Sequence, residues 1–79
     1  MTTESFIKAL GAEIRTRRKR KKLTQIGLAL RANVHPNTVS LIERAETVAG
    51  LEALLVLADA LDTSLSQIIK GAEDRVNFR

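Results

Sequence analysis

The sequence predicts an all-α fold of five short helices, and three observations carry that expectation. Apolar residues recur at three- and four-residue spacing, and no stretch shows the alternation of a strand. Start and stop signals cut the chain into helix-sized pieces: Thr24, Pro36 and the Ser64/Gln67 pair at starts, Asn33 and Gly71 at ends. The 79 residues allow one compact core and no second one.

The elements follow in order. A first helix spans about Thr3 to Arg20, with Phe6, Ile7, Leu10 and Ile14 as its apolar stripe. Its end is densely basic: from Arg15 to Lys22, seven of eight residues are Lys or Arg. Cations at a helix C terminus complement the dipole. Seven of them repel one another, so the dipole explains only part of the run.

Thr24 suits the N-cap of a second helix, about Gln25 to Arg31, with Leu28 and Ala29 inward and Asn33 as a left-handed stop. Gly27 stands where a capping-box Glu or Gln would sit, at a cost of about 1 kcal/mol relative to alanine. The third helix begins at Pro36, whose ring fits the first helical position and pushes His35 out of the α region, as an N-cap requires. Val39 and Ile42 then face the core, while Asn37, Ser40, Leu41 and Arg44 point outward.

A fourth helix, about Gly50 to Leu61, places Leu51, Leu54, Leu55, Leu57, Ala58 and Leu61 on one broad apolar face. Ser64 and Gln67 form a capping box that opens a fifth helix carrying Leu65, Ile68 and Ile69, with Gly71 as its expected end. Residues 1–70 are thus the expected domain and 71–79 a short tail.

Composition excludes several classes. Without cysteine and with one histidine, there is no disulfide frame, zinc finger or metal-ligand cluster, and no cofactor is expected. The same lack, with no grouped carboxylates, argues against an enzyme. The longest apolar run, Ala53 to Ala58, is too short for a membrane span or a signal peptide, so a soluble, cytoplasmic protein is expected.

Charge is divided unevenly. Residues 1–44 carry net +7 and residues 45–79 net −3, within an overall +4. A basic front suits a polyanion, and a helix pair with a basic shoulder is a shape that enters a DNA groove. A solvated helix end is the other reading of the basic run, and charge by itself leaves both open.

The residues also carry a resemblance. Leu23-Thr24-Gln25, Leu28-Ala29, Ala32, Val34, Thr38-Val39-Ser40, Ile42-Glu43-Arg44, Leu51, Leu54, Leu57-Ala58 and Ala60-Leu61 follow in the register of the phage Cro and repressor proteins, the XRE family. The chain resembles that family from about residue 8 to 69. The departures are Ile26 and Gly27 where acids are frequent, Asn33, Ala45 and Asp62 where Gly is usual, and Ala49-Gly50 where Pro-Ser often stands.

The resemblance implies a compact five-helix, lambda-repressor-like DNA-binding domain with its helix-turn-helix at about 24–44. Gln25 would touch the DNA backbone and buttress the recognition helix. His35, Pro36, Asn37, Ser40 and Leu41 would face the groove. Asn37 suits adenine, Leu41 a thymine methyl, and Ser40 either partner with little selectivity; Pro36 offers only apolar contact. Direct readout is therefore thin, and DNA shape is expected to supply part of the specificity. Thr38 suits a phosphate or a local cap, and His35 a DNA contact or a local hydrogen bond. Arg44, Lys22, Lys21 and Arg20 are the candidate phosphate contacts. Arg18 and Glu43 are expected to pair between the first and third helices as a structural brace.

A homodimer is expected as well, with Leu65, Ile68, Ile69, Val76 and Phe78 as candidate interface residues. Leu65 and Ile68 also suit the monomer core. The function expected is a sequence-specific transcriptional regulator, a repressor on a two-fold operator of double-stranded DNA. The alternative is an antitoxin-like module that binds a toxin protein as well as its own operator, with the segment from Gly71 onward as the partner-binding piece.

Overall fold

Local hydrogen bonds set where each helix begins and ends. The computed structural model describes residues 1–77, arranged as α1 (Thr3–Arg20), α2 (Gln25–Ala32), α3 (Pro36–Glu43), α4 (Leu51–Ala60) and α5 (Leu65–Asn77). No strand occurs among the described residues.

Four of the five starts are capped by side chains, and α4, which begins after Gly50, has none. Thr2 and Ser5 cap α1 reciprocally: Thr2 Oγ1 accepts from the Ser5 amide and Ser5 Oγ from the Thr2 amide, each at 3.0 Å. Thr24 Oγ1 accepts from the Gly27 amide at 2.9 Å, the expected cap of α2. His35 is extended, and its Nδ1 accepts from the Asn37 amide at 3.0 Å, so the imidazole caps α3 ahead of Pro36. Only half of the expected Ser64/Gln67 box forms: Ser64 Oγ accepts from the Gln67 amide and shares its other contact with Ser66.

Stops are uniform. The first four helices each end on a left-handed residue, Lys22, Asn33, Ala45 and Asp62, with φ of 57–59°. The next amide reaches back five residues in every case: Leu23 to the Arg18 carbonyl, Val34 to Ala29, Glu46 to Leu41 and Thr63 to Ala58, at 2.9–3.1 Å. This is the Schellman arrangement that glycine normally serves, made here with no glycine at all.

Leu10, Ile14, Leu28, Val39, Ile42, Leu57 and Ile68 form the centre of one core, each at most 6% exposed. Burying each such side chain contributes about 1.5–3 kcal/mol. Helix α1 packs on α3 and α5, α2 on α3 and α4, and α4 on α5.

The structure corrects three expectations. Helix α5 does not end at Gly71 but continues to Asn77, so that part of the expected tail is helix, with Ala72 buried. Gly71 is needed for closeness instead, because a Cβ there would collide with the Glu13 carboxylate. Leu51 and Leu55 are not core residues but 65% and 49% exposed. The contacts of α4 with α2 and α5 leave that flank uncovered. Ile68 is fully buried within the chain and cannot join a dimer interface. Leu65, Ile69 and Val76 are half-buried against the core. Phe78 lies outside the described residues. No helix among those residues is long and apolar enough to cross a membrane.

Candidate nucleic-acid interface

The site rests on a buried ion pair. Arg18 Nε and Nη2 donate to the two oxygens of Glu43 at 2.6 and 2.9 Å, and Nη1 donates to the Leu23 carbonyl at 2.8 Å. Both side chains are almost fully enclosed, at 9% and 2% exposure. The Glu43 hydrogen bonds outweigh burial and hold the Arg18 guanidinium above its ordinary range. Gln25 Nε2 donates to the same carboxylate at 3.1 Å. Three helices therefore meet on Glu43: the end of α1, the start of α2 and the end of α3. Gly11 lets α1 and α3 approach, since a Cβ there would strike the Ile42 carbonyl.

This brace fixes the outward face of α3. Pro36, Asn37, Ser40, Leu41 and Arg44 fall on one side of the helix, opposite buried Val39 and Ile42. Asn37 is exposed, while Pro36, Thr38, Ser40 and Leu41 are half-exposed. Ser40 Oγ accepts from Arg44 Nε at 3.1 Å, so the outer end of the face is already organised. His35 is exposed, but Nδ1 is committed to its capping bond.

The basic run divides by partner. Arg20 and Lys22 are exposed and enter no ion pair among the described residues. Lys21 Nζ lies 2.6 Å from Asp62, which Arg31 also approaches at 3.4 Å. The Lys21 hydrogen bond holds the Asp62 carboxyl below the usual carboxylate range. Arg44 Nη1 lies 2.5 Å from Glu46.

Arg17 belongs to a second cluster that sequence reasoning missed. Glu13 accepts from Arg17 Nε at 2.7 Å and from Arg75 Nε at 2.9 Å, and Arg75 also donates to Thr16 at 2.8 Å. Arg17 reaches on to the Thr63 hydroxyl at 3.2 Å. Burial pushes the Glu13 carboxyl up, but the Arg75 and Arg17 hydrogen bonds outweigh it and leave the group below its ordinary range. The four-residue spacing of Glu13 and Arg17 was a usable signal. Nothing local pointed to Arg75.

Among the described residues no group of three metal-ligating side chains comes together.

The chain is similar to known proteins in sequence and in fold. Residues 14–68 match the helix-turn-helix family. Over 68 residues the chain is 37% identical to Repressor protein C2 of Salmonella phage P22, covering 86% of this chain and 32% of that protein. The chain thus spans about a third of that relative's length. Its fold is similar to the clp gene regulator ClgR from C. glutamicum, with a TM-score of 0.85 at 28% identity over 94% of this chain and 96% of that one. It is also similar to the restriction-modification controller protein C.AhdI from Aeromonas hydrophila, with a TM-score of 0.77 at 29% identity over 78% and 94%.

Proposed function

The chain belongs to the helix-turn-helix family, and from that premise we propose that it is a sequence-specific DNA-binding transcriptional regulator. In this reading it represses from a two-fold operator as a homodimer. One observation carries the proposal: the Arg18–Glu43–Gln25 brace ties α3 to the end of α1, where Arg20 and Lys22 are exposed.

In this reading α3 lies in the major groove. Asn37 makes the discriminating contact, and an adenine there is favoured over other bases by about 1–3 kcal/mol. Leu41 packs on a thymine methyl and Ser40 adds an unselective hydrogen bond. Arg20, Lys22 and Arg44 hold phosphates, which positions the protein without specifying sequence. Gln25, with its amide on Glu43, serves the brace first.

The repressor role takes support from the similarity to a phage repressor. For the dimer, Leu65, Ile69 and Val76 remain candidates, and exposed Leu51 and Leu55 join them. The toxin-binding alternative needs a free segment after Gly71. As far as Asn77 that segment is helix, tied to α1 through Arg75 and Glu13, which favours the regulator.

Selection of bound duplexes from a random DNA pool, with salt titration, tests the proposal. The expected result is a two-fold motif with half-sites about 34 Å apart and affinity that falls steeply with salt. Binding indifferent to both sequence and salt overturns it. Sedimentation at tens of micromolar checks the dimer, and a monomer there counts against it.

A further inference from the structure

Two exposed carboxylates sit on two of the candidate phosphate contacts, Arg44 and Lys21. Glu46 Oε2 lies 2.5 Å from Arg44 Nη1, and both side chains are about half exposed. Asp62 Oδ2 lies 2.6 Å from Lys21 Nζ and 3.4 Å from Arg31 Nη2.

Both acids are placed by helix stops. Asp62 is the left-handed residue after α4, and Glu46 directly follows the left-handed Ala45 after α3. The back-reaching hydrogen bonds of Glu46 and Thr63 fix the backbone at each stop. The backbone therefore places each carboxylate within reach of its cation. Exposed ion pairs of this kind add little to folding. A phosphate that pairs with Arg44 or Lys21 must first displace the carboxylate, which then faces the phosphate and repels it.

We propose that Glu46 and Asp62 are built-in competitors of DNA phosphates, which hold Arg44 and Lys21 back and so lower affinity for DNA of arbitrary sequence. The proposal rests on the DNA-binding reading. Non-specific binding is the informative quantity because it is almost wholly electrostatic.

The test compares the parent chain with Glu46→Gln, Asp62→Asn and, as a control, Glu73→Gln. Asn keeps the left-handed stop at position 62 comfortable. Glu73 is exposed on α5 and enters no ion pair among the described residues, so its substitution changes net charge equally without releasing a cation. Each chain is titrated onto a random-sequence duplex across a salt series, and melting confirms that it is folded.

Each released cation steepens the fall of log affinity against log salt by about 0.9. The advantage of Glu46→Gln and Asp62→Asn over the parent then grows roughly three- to fourfold between about 200 and about 50 mM salt. Glu73→Gln leaves the slope unchanged. Slopes for Glu46→Gln and Asp62→Asn equal to the parent's, or matched by Glu73→Gln, overturn the proposal. A parent chain that binds no duplex overturns the DNA-binding reading itself, and this inference with it.

Discussion

Arg17 and Arg18 are neighbours in sequence, yet they anchor opposite sides of the molecule. Arg18 turns toward α3 and closes on Glu43, 25 residues away. Arg17 turns back to Glu13 on its own helix, and Glu13 joins Arg75, 62 residues on, at α5. Each cluster centres on one buried carboxylate, and each has a glycine where a Cβ would collide, Gly11 in the first and Gly71 in the second. The difference lies in what is enclosed. The Arg18–Glu43 pair is sealed, whereas Arg17 and Arg75 are 23% and 37% exposed. One cluster sets α3 and the other fastens the last helix. A basic run is therefore a set of separate structural assignments as well as a charge density.

The largest effect is expected from Glu43→Ala. It strands a buried guanidinium and should cost about 3–5 kcal/mol, read as a fall in melting temperature. DNA binding should also be weakened below that temperature, because α3 loses its support. Unchanged melting would sink the brace.

Gly11→Ala attacks the same side through packing. The new methyl meets a backbone carbonyl that cannot rotate away, so about 3 kcal/mol is expected, the upper part of the overpacking range. Gly71→Ala meets only a side chain and should cost less. Chemical denaturation of the two variants side by side tests that order.

Glu13→Gln is expected to cost about 2 kcal/mol at neutral pH, since the amide keeps one acceptor oxygen for two guanidiniums and turns a donor NH2 toward the other. DNA affinity should stay near the parent's, in contrast to Glu43→Ala. The pH dependence has a definite sign. The Glu13 carboxyl is held below its ordinary range when folded, so its contribution is complete above the unfolded value of about 4.3. It is lost as pH falls from there through the lower folded value. The stability gap between parent and Glu13→Gln should narrow over that acid window, and a gap constant with pH contradicts the assignment.

The smallest effect is expected at a helix end. Ala45 holds φ of 58°, which costs a residue with a side chain about 1–2 kcal/mol. Ala45→Gly should therefore raise stability by about 1 kcal/mol, offset in part by the greater freedom of glycine in the unfolded chain. A melting point that does not rise would show that the strain is absorbed elsewhere.

Much of this architecture was legible residue by residue. Thr24, Asn33, His35 and Pro36 act within four positions of themselves, so their types announce two helix starts and a stop. The Arg18–Glu43 pair was expected through the family resemblance. Gly71 was misread because glycine ends helices and also admits close neighbours, and only the position of Glu13 tells the two apart. Leu51 and Leu55 were misread because spacing shows that a helix has an apolar stripe, not how much of it a neighbour covers.

The five helices, most of their ends and the outward set on α3 follow from periodicity and from hydrogen bonds that close within a few residues, so they are written in the chain. The tertiary structure decided which cations of the basic run are committed to carboxylates, which leucines stay exposed, and that Ile68 is core. Those outcomes depend on the chain's path, which brings Arg75 to Glu13 and Asp62 to Lys21 across separations that no local pattern encodes.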